Sequence, residues 1–424
     1  MKLPQQEIVT VIRQGLCLDP ATGSEAIRDI YLAGGQIIER PNPLPSDLHE
    51  MDATDCLVMP ALIDVHVHLR EPGGEAAETI ETGAAAAWRG GVGTIVAMPN
   101  TQPPIDTPER VERVLAAGRK ATGTRVLTSA CLTIGREGQE VAPLAELAAA
   151  GAIAFTDDGC TVQSDDVMRR AMGGAAALGL PVMDHAQDRI MELQGGVMHA
   201  GARSQQLGLP GIPEEAELSI VERDIHLAES TGCALHIQHV SCGKSVDLIA
   251  AAQQRGVRVT AEATPHHLWY CDDDIDGEQP ERFKMNPPLR SAMDRERIRQ
   301  GVAEKTLGIL ATDHAPHTHA AKSTGFLNAP FGVIGLETAA AATFTVLVKE
   351  GLISRMDWVK AWTTAPAQLL NLPLPSLQPN SRAPILIFDP RREWIVDPQQ
   401  TVSRSRNCSF NKVKLTGYPC ILAD

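Results

Sequence analysis

The chain has 424 residues, 43% hydrophobic and only 4% aromatic, enough for one large packed domain and a smaller one. Lys and Arg number 38 against 52 Asp and Glu, and the formal net charge of −14 argues against a nucleic-acid-binding surface. Nine cysteines, odd in number and nowhere spaced C-x-x-C, exclude a disulfide framework and a zinc finger and point to a reducing compartment.

The opening "MKLPQQEIVTVIRQG" has no long apolar stretch, and no apolar run in the chain reaches about 18 residues, so the expectation is a cytoplasmic protein that does not touch a membrane. Residues 8–40 read as short strands separated by turns, and the Pro-rich "PNPLPSD" breaks the pattern. From about residue 57 apolar strands alternate with helical stretches. The strands are "CLVMPALIDVHVHL", "GTIVAMPN", "RVLTSACL", "AIAFTDD", "LPVMDHA", "ALHIQHVS", "VRVTAEATPHH" and "LGILATDHAPH". Helices between them include "AAETIETGAAAAWRGG" and "PEEAELSIVERDIHLAESTG", the latter with Leu218, Val221, Ile225 and Ala228 at helical spacing. Roughly eight β/α units in about 310 residues predict an α/β fold, a (β/α)8 barrel. After residue 370 strands return. The expected organisation is therefore a barrel over 57–370 flanked by a small β-sandwich domain built from 1–56 and 371–424.

In a barrel, catalytic residues belong where strands end and loops begin. Polar residues fall at those places: His66 and His68 after strand one, Asn100 after two, Asp157 and Asp158 after four, His185 after five and His239 after six. His266 and His267 follow strand seven, and Asp313, His314 and His317 follow strand eight. In "DVHVHLREPG", alternation puts His66, His68 and Arg70 on one side of a buried strand, where each unpaired polar group would cost about 1–3 kcal/mol. Histidines and aspartates gathered at so many strand ends form a donor set for two divalent metals sharing a carboxylate, and imidazole with carboxylate suits zinc.

The motifs "DVHVHLREPG", "AMPNTQPP", "FTDDG", "KMNPPLR", "ATDHAPH" and "APFGVIGLET" together resemble the bacterial class I dihydroorotases of the amidohydrolase superfamily. The resemblance implies a zinc-dependent (β/α)8 barrel that reversibly closes N-carbamoyl-L-aspartate to (S)-dihydroorotate in pyrimidine biosynthesis. It implies His66 and His68 as ligands of one metal, Asp158, the aspartate adjoining Gly159, as the bridge, and His185 and His239 as ligands of the other. Asp313 is implied as a metal-bound acid/base. Substrate contacts are implied for His68, Arg70, Asn100, Asn286, His317 and the Phe331–Gly332 backbone. One or two Zn2+ per chain, two at full occupancy, and a homodimer with aspartate transcarbamoylase as candidate partner complete the expectation.

No lysine lies between Lys120 and Lys244, so the carboxylated-lysine bridge of hydantoinases and allantoinases has no counterpart near strand four. A hydantoinase or allantoinase is the nearest rival, and Arg70 argues against it because hydantoins carry no ring carboxylate. A silent dihydroorotase-like partner of aspartate transcarbamoylase would be expected to lose metal ligands, and this chain keeps all six. "SFNKVKL" and "DHAQD" depart from the family pattern, and His266 and His267 read as scaffold. The Gly-rich stretches 195–213 and 317–332 are expected as lids.

Overall fold

The structure, a computed structural model, describes residues 8–192, 195–276 and 279–421; the expectations for residues 1–7 and 422–424 lie outside them. Parallel segments close into a ring. Leu62–Val67, Val92–Ala97 and Arg125–Thr128 pair in that order. Phe155 bridges Ala130 on one side and Val182 on the other, so strand four is reduced to a bridge. Val182–Asp184, Leu235–Ile237, Val259–Ala263 and Ile309–Leu310 follow, and a bridge from His314 back to Val67 joins the last strand to the first. These are barrel strands one to eight. Helices follow them in turn: Ile80–Arg89, Pro108–Gly118, Leu144–Ala149, Asp165–Leu178, Glu215–Thr231, Gly243–Gln254, Ala292–Ala303 and Ala339–Thr343. Ser164 and Ser291 begin two of them by accepting the Val167 and Asp294 amides, the usual reason a serine precedes a helix.

Two apolar layers hold the barrel. Ile63, Val65, Val96, Met183, Ile309 and Ala311 fill its interior, where Ala367 and Leu369 of helix Thr364–Leu369 close the end at which the strands start. A larger cluster packs the outer strand faces against the helices and includes Leu62, Val67, Ile95, Leu235 and Ile249. Strand one therefore breaks simple alternation. Val65 is interior and Val67 exterior, and its pairing with strand two shifts register between Asp64 and Val67. An irregularity of this kind re-aims side chains at a barrel rim. Leu218 is only half-buried; helix Glu215–Thr231 instead buries Glu217 and Asp224 beside Ile220, Val221 and Ile225.

Seven strands form the second unit: Val9–Asp19, Ser24–Ala33, Gln36–Ile38, Leu48–Asp52, Leu57–Pro60, Ile385–Ile395 and Lys414–Ile421, in one connected sheet. The sheet encloses its own cluster of Ile12, Cys17, Ile30, Ile37, Val58 and Ile385. Leu57–Pro60 pairs with Val9–Asp19 and with Ile385–Ile395, so the strand read as opening the barrel at 57 lies in this sheet, and barrel strand one starts at Leu62. Residues 401–410 leave the sheet and cross to the barrel. Val402 and Ser403 donate their amides to Glu337, Arg404 donates its amide to Glu78, and the Ser405 hydroxyl donates to the Ala77 carbonyl. Among the described residues no helix is long and apolar enough to cross a membrane.

Candidate metal centre and substrate pocket

The strand ends bring six of the expected residues together. His66 comes from strand one and His68 from just beyond it, Asp158 from the loop after Phe155, His185 and His239 from just beyond strands five and six, and Asp313 from beyond strand eight. All six are buried. Asp158 Oδ1 lies 3.3 Å from His66 Nε2 and 3.9 Å from both His185 Nδ1 and His239 Nε2, while its Oδ2 lies 3.4 Å from His68 Nε2. Asp313 Oδ1 is 3.0 Å from His68 Nε2 and 3.5 Å from His66 Nε2. His185 Nδ1 and His239 Nε2 are 2.8 Å apart. Asp158 Oδ1 thus faces three imidazoles, those of His66, His185 and His239, and Oδ2 faces the fourth, that of His68. Asp157 points elsewhere. Its Oδ1 accepts the Leu132 and Thr133 amides, and Thr133 Oγ1 donates to its Oδ2.

The tautomers test whether a cation fits. His66 Nδ1 donates to Glu262 Oε1 at 2.6 Å, and His68 Nδ1 donates to Asn100 Oδ1 at 2.9 Å, while Asn100 Nδ2 donates to Asp158 Oδ2 at 3.1 Å. In the neutral rings both Nε2 atoms then carry lone pairs facing carboxylate oxygens. Lone pairs 3.0–3.5 Å from anionic oxygens repel unless a proton or a metal cation lies between them. The ligand atoms of His66, Asp158 and His239, and those of His66, His68 and Asp313, each lie within 4.8 Å of one another, a donor set suited to zinc. The electrostatics agree. Burial opposes charge on Asp158, yet His66 and His68 hold its carboxyl well below the ordinary range. Burial also opposes charge on His66, but Glu262, Asp158 and Asp313 raise it. Burial lowers His185 and His239, which favours neutral imidazoles with a lone pair to give.

A cationic pocket adjoins the cluster. Arg70 has left the strand with φ +59° and donates Nε to the Pro316 carbonyl at 3.1 Å. Burial lowers its guanidinium to about 10, so it stays charged at neutral pH. His317 Nε2 lies 2.7 Å from the Phe331 carbonyl and 3.3 Å from Arg70 Nη2. Burial and the Arg70 charge push His317 down to about 3, so the ring is neutral. A carbonyl only accepts, so Nε2 carries the proton and cannot also accept from Arg70. That leaves the Nη2 edge of Arg70 for an anion. Gly332 takes φ +128°, and a Cβ there would come within 2.7 Å of Ala315 Cβ and 2.9 Å of its carbonyl, so only glycine allows the two loops to touch. Its amide donates to the Lys284 carbonyl, and its own carbonyl accepts from Lys322 and Asn407. The expectation that the Gly332 peptide faces a substrate ring is therefore narrowed, since its amide already has a protein acceptor. Asn286 Nδ2 sits 3.3 Å from His185 Nε2. His267 bonds Thr264 Oγ1 and the Pro287 carbonyl, outside the six-residue cluster.

Sequence reasoning missed the supporting shell. Glu262, fully buried, accepts from His66 Nδ1, His236 Nε2 and the His239 amide. Burial opposes its charge, but His66 and His236 hold it at about 2. Asp64 accepts the His66 and Thr312 amides, tying strand one to strand eight. Arg136 donates to the carbonyls of both Asp157 and Asp158, fixing the bridging loop. Alternation places Glu262 on the same strand face as Thr260, but no local motif marks it.

The N-terminal part of the chain, residues 55–245, matches the family described as dihydro-orotase-like. A dihydroorotase of Geobacillus sp. (strain WCH70) is 44% identical over 380 residues, 88% of each chain. One from Anaeromyxobacter sp. (strain K) is 42% identical over 413 residues, 96% of this chain and 95% of the relative. The chain belongs to the dihydroorotase family. Among solved structures, L-hydantoinase (dihydropyrimidinase) from Arthrobacter aurescens superposes with a TM-score of 0.84, covering 97% of this chain and 93% of that one at 24% identity. Dihydropyrimidinase from Brevibacillus agri superposes with a TM-score of 0.85 at 21% identity, covering 98% of this chain and 94% of that one. At these identities the hydantoinases establish the shared barrel-and-sheet fold alone.

Proposed function

We infer that this protein is a zinc-dependent dihydroorotase, which closes N-carbamoyl-L-aspartate to (S)-dihydroorotate with loss of water and reopens the ring by hydrolysis, a step of pyrimidine synthesis. The observation that carries the reading is a charged Arg70 with one guanidinium edge open beside four imidazoles and two carboxylates. His66, His68, His185 and His239 would hold the metals, with Asp158 between them and Asp313 at the rim. Bound there, divalent zinc would polarise the ring carbonyl and make a water acidic enough to act as nucleophile near neutral pH.

The chain's own residues supply the rest. Arg70 receives the carboxylate that the substrate keeps in both its open and closed forms, and its planar fork suits that group. Asn100 holds His68 and Asp158 in register and retains one N–H for the substrate. Asp313 accepts the proton released when hydroxide adds to the amide carbon, then delivers it to the departing ring nitrogen. In ring closure the same proton travels the other way. His317 is neutral and its Nε2–H donates to the Phe331 carbonyl, which makes it a wall of the pocket and leaves the shuttle to Asp313.

Substrate choice tests the reading. The parent should prefer dihydroorotate over hydantoin and dihydrouracil, which lack the carboxylate. Arg70→Met should lower kcat/KM on dihydroorotate by roughly two to four orders of magnitude, ~3–5 kcal/mol, with little further loss on the neutral rings. Equal losses on all three rings, or a parent that favours hydantoin, would make Arg70 structural and return the chain to the hydantoinase reading.

A further inference from the structure

We propose that Asn407, on the segment that crosses from the terminal sheet, is a positioning residue that sets the carboxylate end of the substrate pocket. The inference rests on the dihydroorotase reading. Its side chain makes three bonds, all to the two loops that build that end. Oδ1 accepts from the His317 amide at 3.2 Å, and Nδ2 donates to the Ala315 carbonyl and to the Gly332 carbonyl, both at 3.1 Å. Its main-chain carbonyl accepts from the Ile334 amide at 3.0 Å. Two carbonyls and one amide fix which way the side-chain amide points, because only nitrogen donates and only oxygen accepts.

The placement matters because of what lies between those bonds. Ala315 and His317 flank Pro316, whose carbonyl receives Arg70 Nε. Asn407 thus grips both sides of the group that aims the guanidinium. Through Gly332 it holds the loop whose Phe331 carbonyl accepts the hydrogen bond from His317 Nε2–H and so keeps His317 from competing for Arg70. Lys322, also buried, binds the Gly332 carbonyl from the other side and ties it to the Lys284 and Pro330 carbonyls. Direct bonds between the two loops run from His317 Nε2 to the Phe331 carbonyl, from the Ala315 amide to the Val333 carbonyl, and from the Gly335 and Leu336 amides to His314 Nδ1. Asn407 contributes three more and comes from outside the barrel. Its carrier segment is anchored independently on Glu337, Glu78 and, through the Ser409 carbonyl, the Tyr270 hydroxyl. A displacement of about 1 Å in such a positioning frame is enough to cost binding.

Two variants separate the lost donors from added charge. Asn407→Asp keeps shape and the acceptor for His317 but loses both donors, and Asn407→Ser loses the fork without adding charge. Both should raise KM for dihydroorotate roughly tenfold or more while kcat changes less than about threefold, with zinc content as in the parent. The His317 and Ile334 amides should exchange with solvent about tenfold faster in the variants, a readout that needs no turnover. Failure of the parent to turn over dihydroorotate would sink the dihydroorotase reading alone, and the exchange rates would still decide the role of Asn407. The proposal is overturned if KM and both exchange rates match the parent, or if kcat falls with the zinc content while KM stays put. Should the aspartate variant not fold, the serine variant carries the same measurements.

Discussion

Asp313 differs from Asp158 in how its oxygens are used. Asp158 divides its two oxygens among four imidazoles and Asn100, whereas Asp313 turns one oxygen to His66 and His68 and is held in a left-handed turn at φ +47°. A non-glycine residue keeps such a backbone only where its surroundings enforce it, a pattern common at reacting groups. His239 at φ +32° and Arg70 at φ +59° share it. In the proposed mechanism Asp313 is the carboxylate left to move a proton. Asp313→Asn preserves shape and one oxygen toward the cluster but cannot accept a proton. Its zinc content and unfolding midpoint should stay near the parent's while turnover drops about 10²–10⁴-fold, the usual share of general acid–base catalysis. Wild-type turnover in a metal-loaded variant would move the shuttle to another group. The choice between Asp157 and Asp158 could not be made from residue chemistry alone. Two adjacent carboxylates read alike, and only the path of the loop after Phe155 sends one to the Leu132–Thr133 amides and the other to the imidazoles.

Strand seven does more than complete the ring. Glu262 orients His66 through Nδ1 and caps the turn at His239, so one carboxylate sets two of the imidazoles. Carboxylates in this position fix the ring tautomer and raise the basicity of a metal-binding imidazole. Glu262→Gln should leave the fold intact and weaken zinc binding by about 10–100-fold, read by competition with a chromophoric chelator. Zinc affinity equal to the parent's would make the His66–Glu262 bond a matter of packing alone. The strand ends were legible in sequence because a barrel puts polar residues there by necessity, and His66, His68, His185 and His239 followed from that rule. Glu262 was not legible, since it lies inside a strand whose partners, His66 and His239, are 196 and 23 residues away. The register shift in strand one was hidden for a similar reason: apolar residues on both faces mask a change of side.

At the scale of the whole molecule, the alternation of strands and helices revealed the barrel, and the return of strands at the end revealed a sheet shared by both termini. What it did not reveal is that residues 401–410 serve the barrel mouth. That stretch has no periodicity, and its bonds reach residues such as Glu78 and Ala77 more than 300 positions away. Buried histidines elsewhere in the barrel are expected to make the fold acid-sensitive. Burial holds His267 down to about 4, and burial also lowers His266 and His239. A histidine whose folded value lies below its ordinary value of 6.5 favours the folded state fully above that value. That advantage drains away as pH falls toward about 4, because the unfolded chain takes up the proton first. His267 alone accounts for about 3 kcal/mol across that window. Urea midpoints of the full chain should therefore fall between pH 6.5 and 4, and His267→Gln should flatten that fall; parallel curves for parent and variant would remove His267 from the account.

Metal analysis of the purified chain, paired with dihydroorotate hydrolysis before and after chelation, decides whether turnover requires zinc. The expectation is one to two zinc ions per chain, loss of turnover when the chelator removes them, and recovery when zinc is restored. A chain that hydrolyses dihydroorotate at full rate with no metal bound would contradict it.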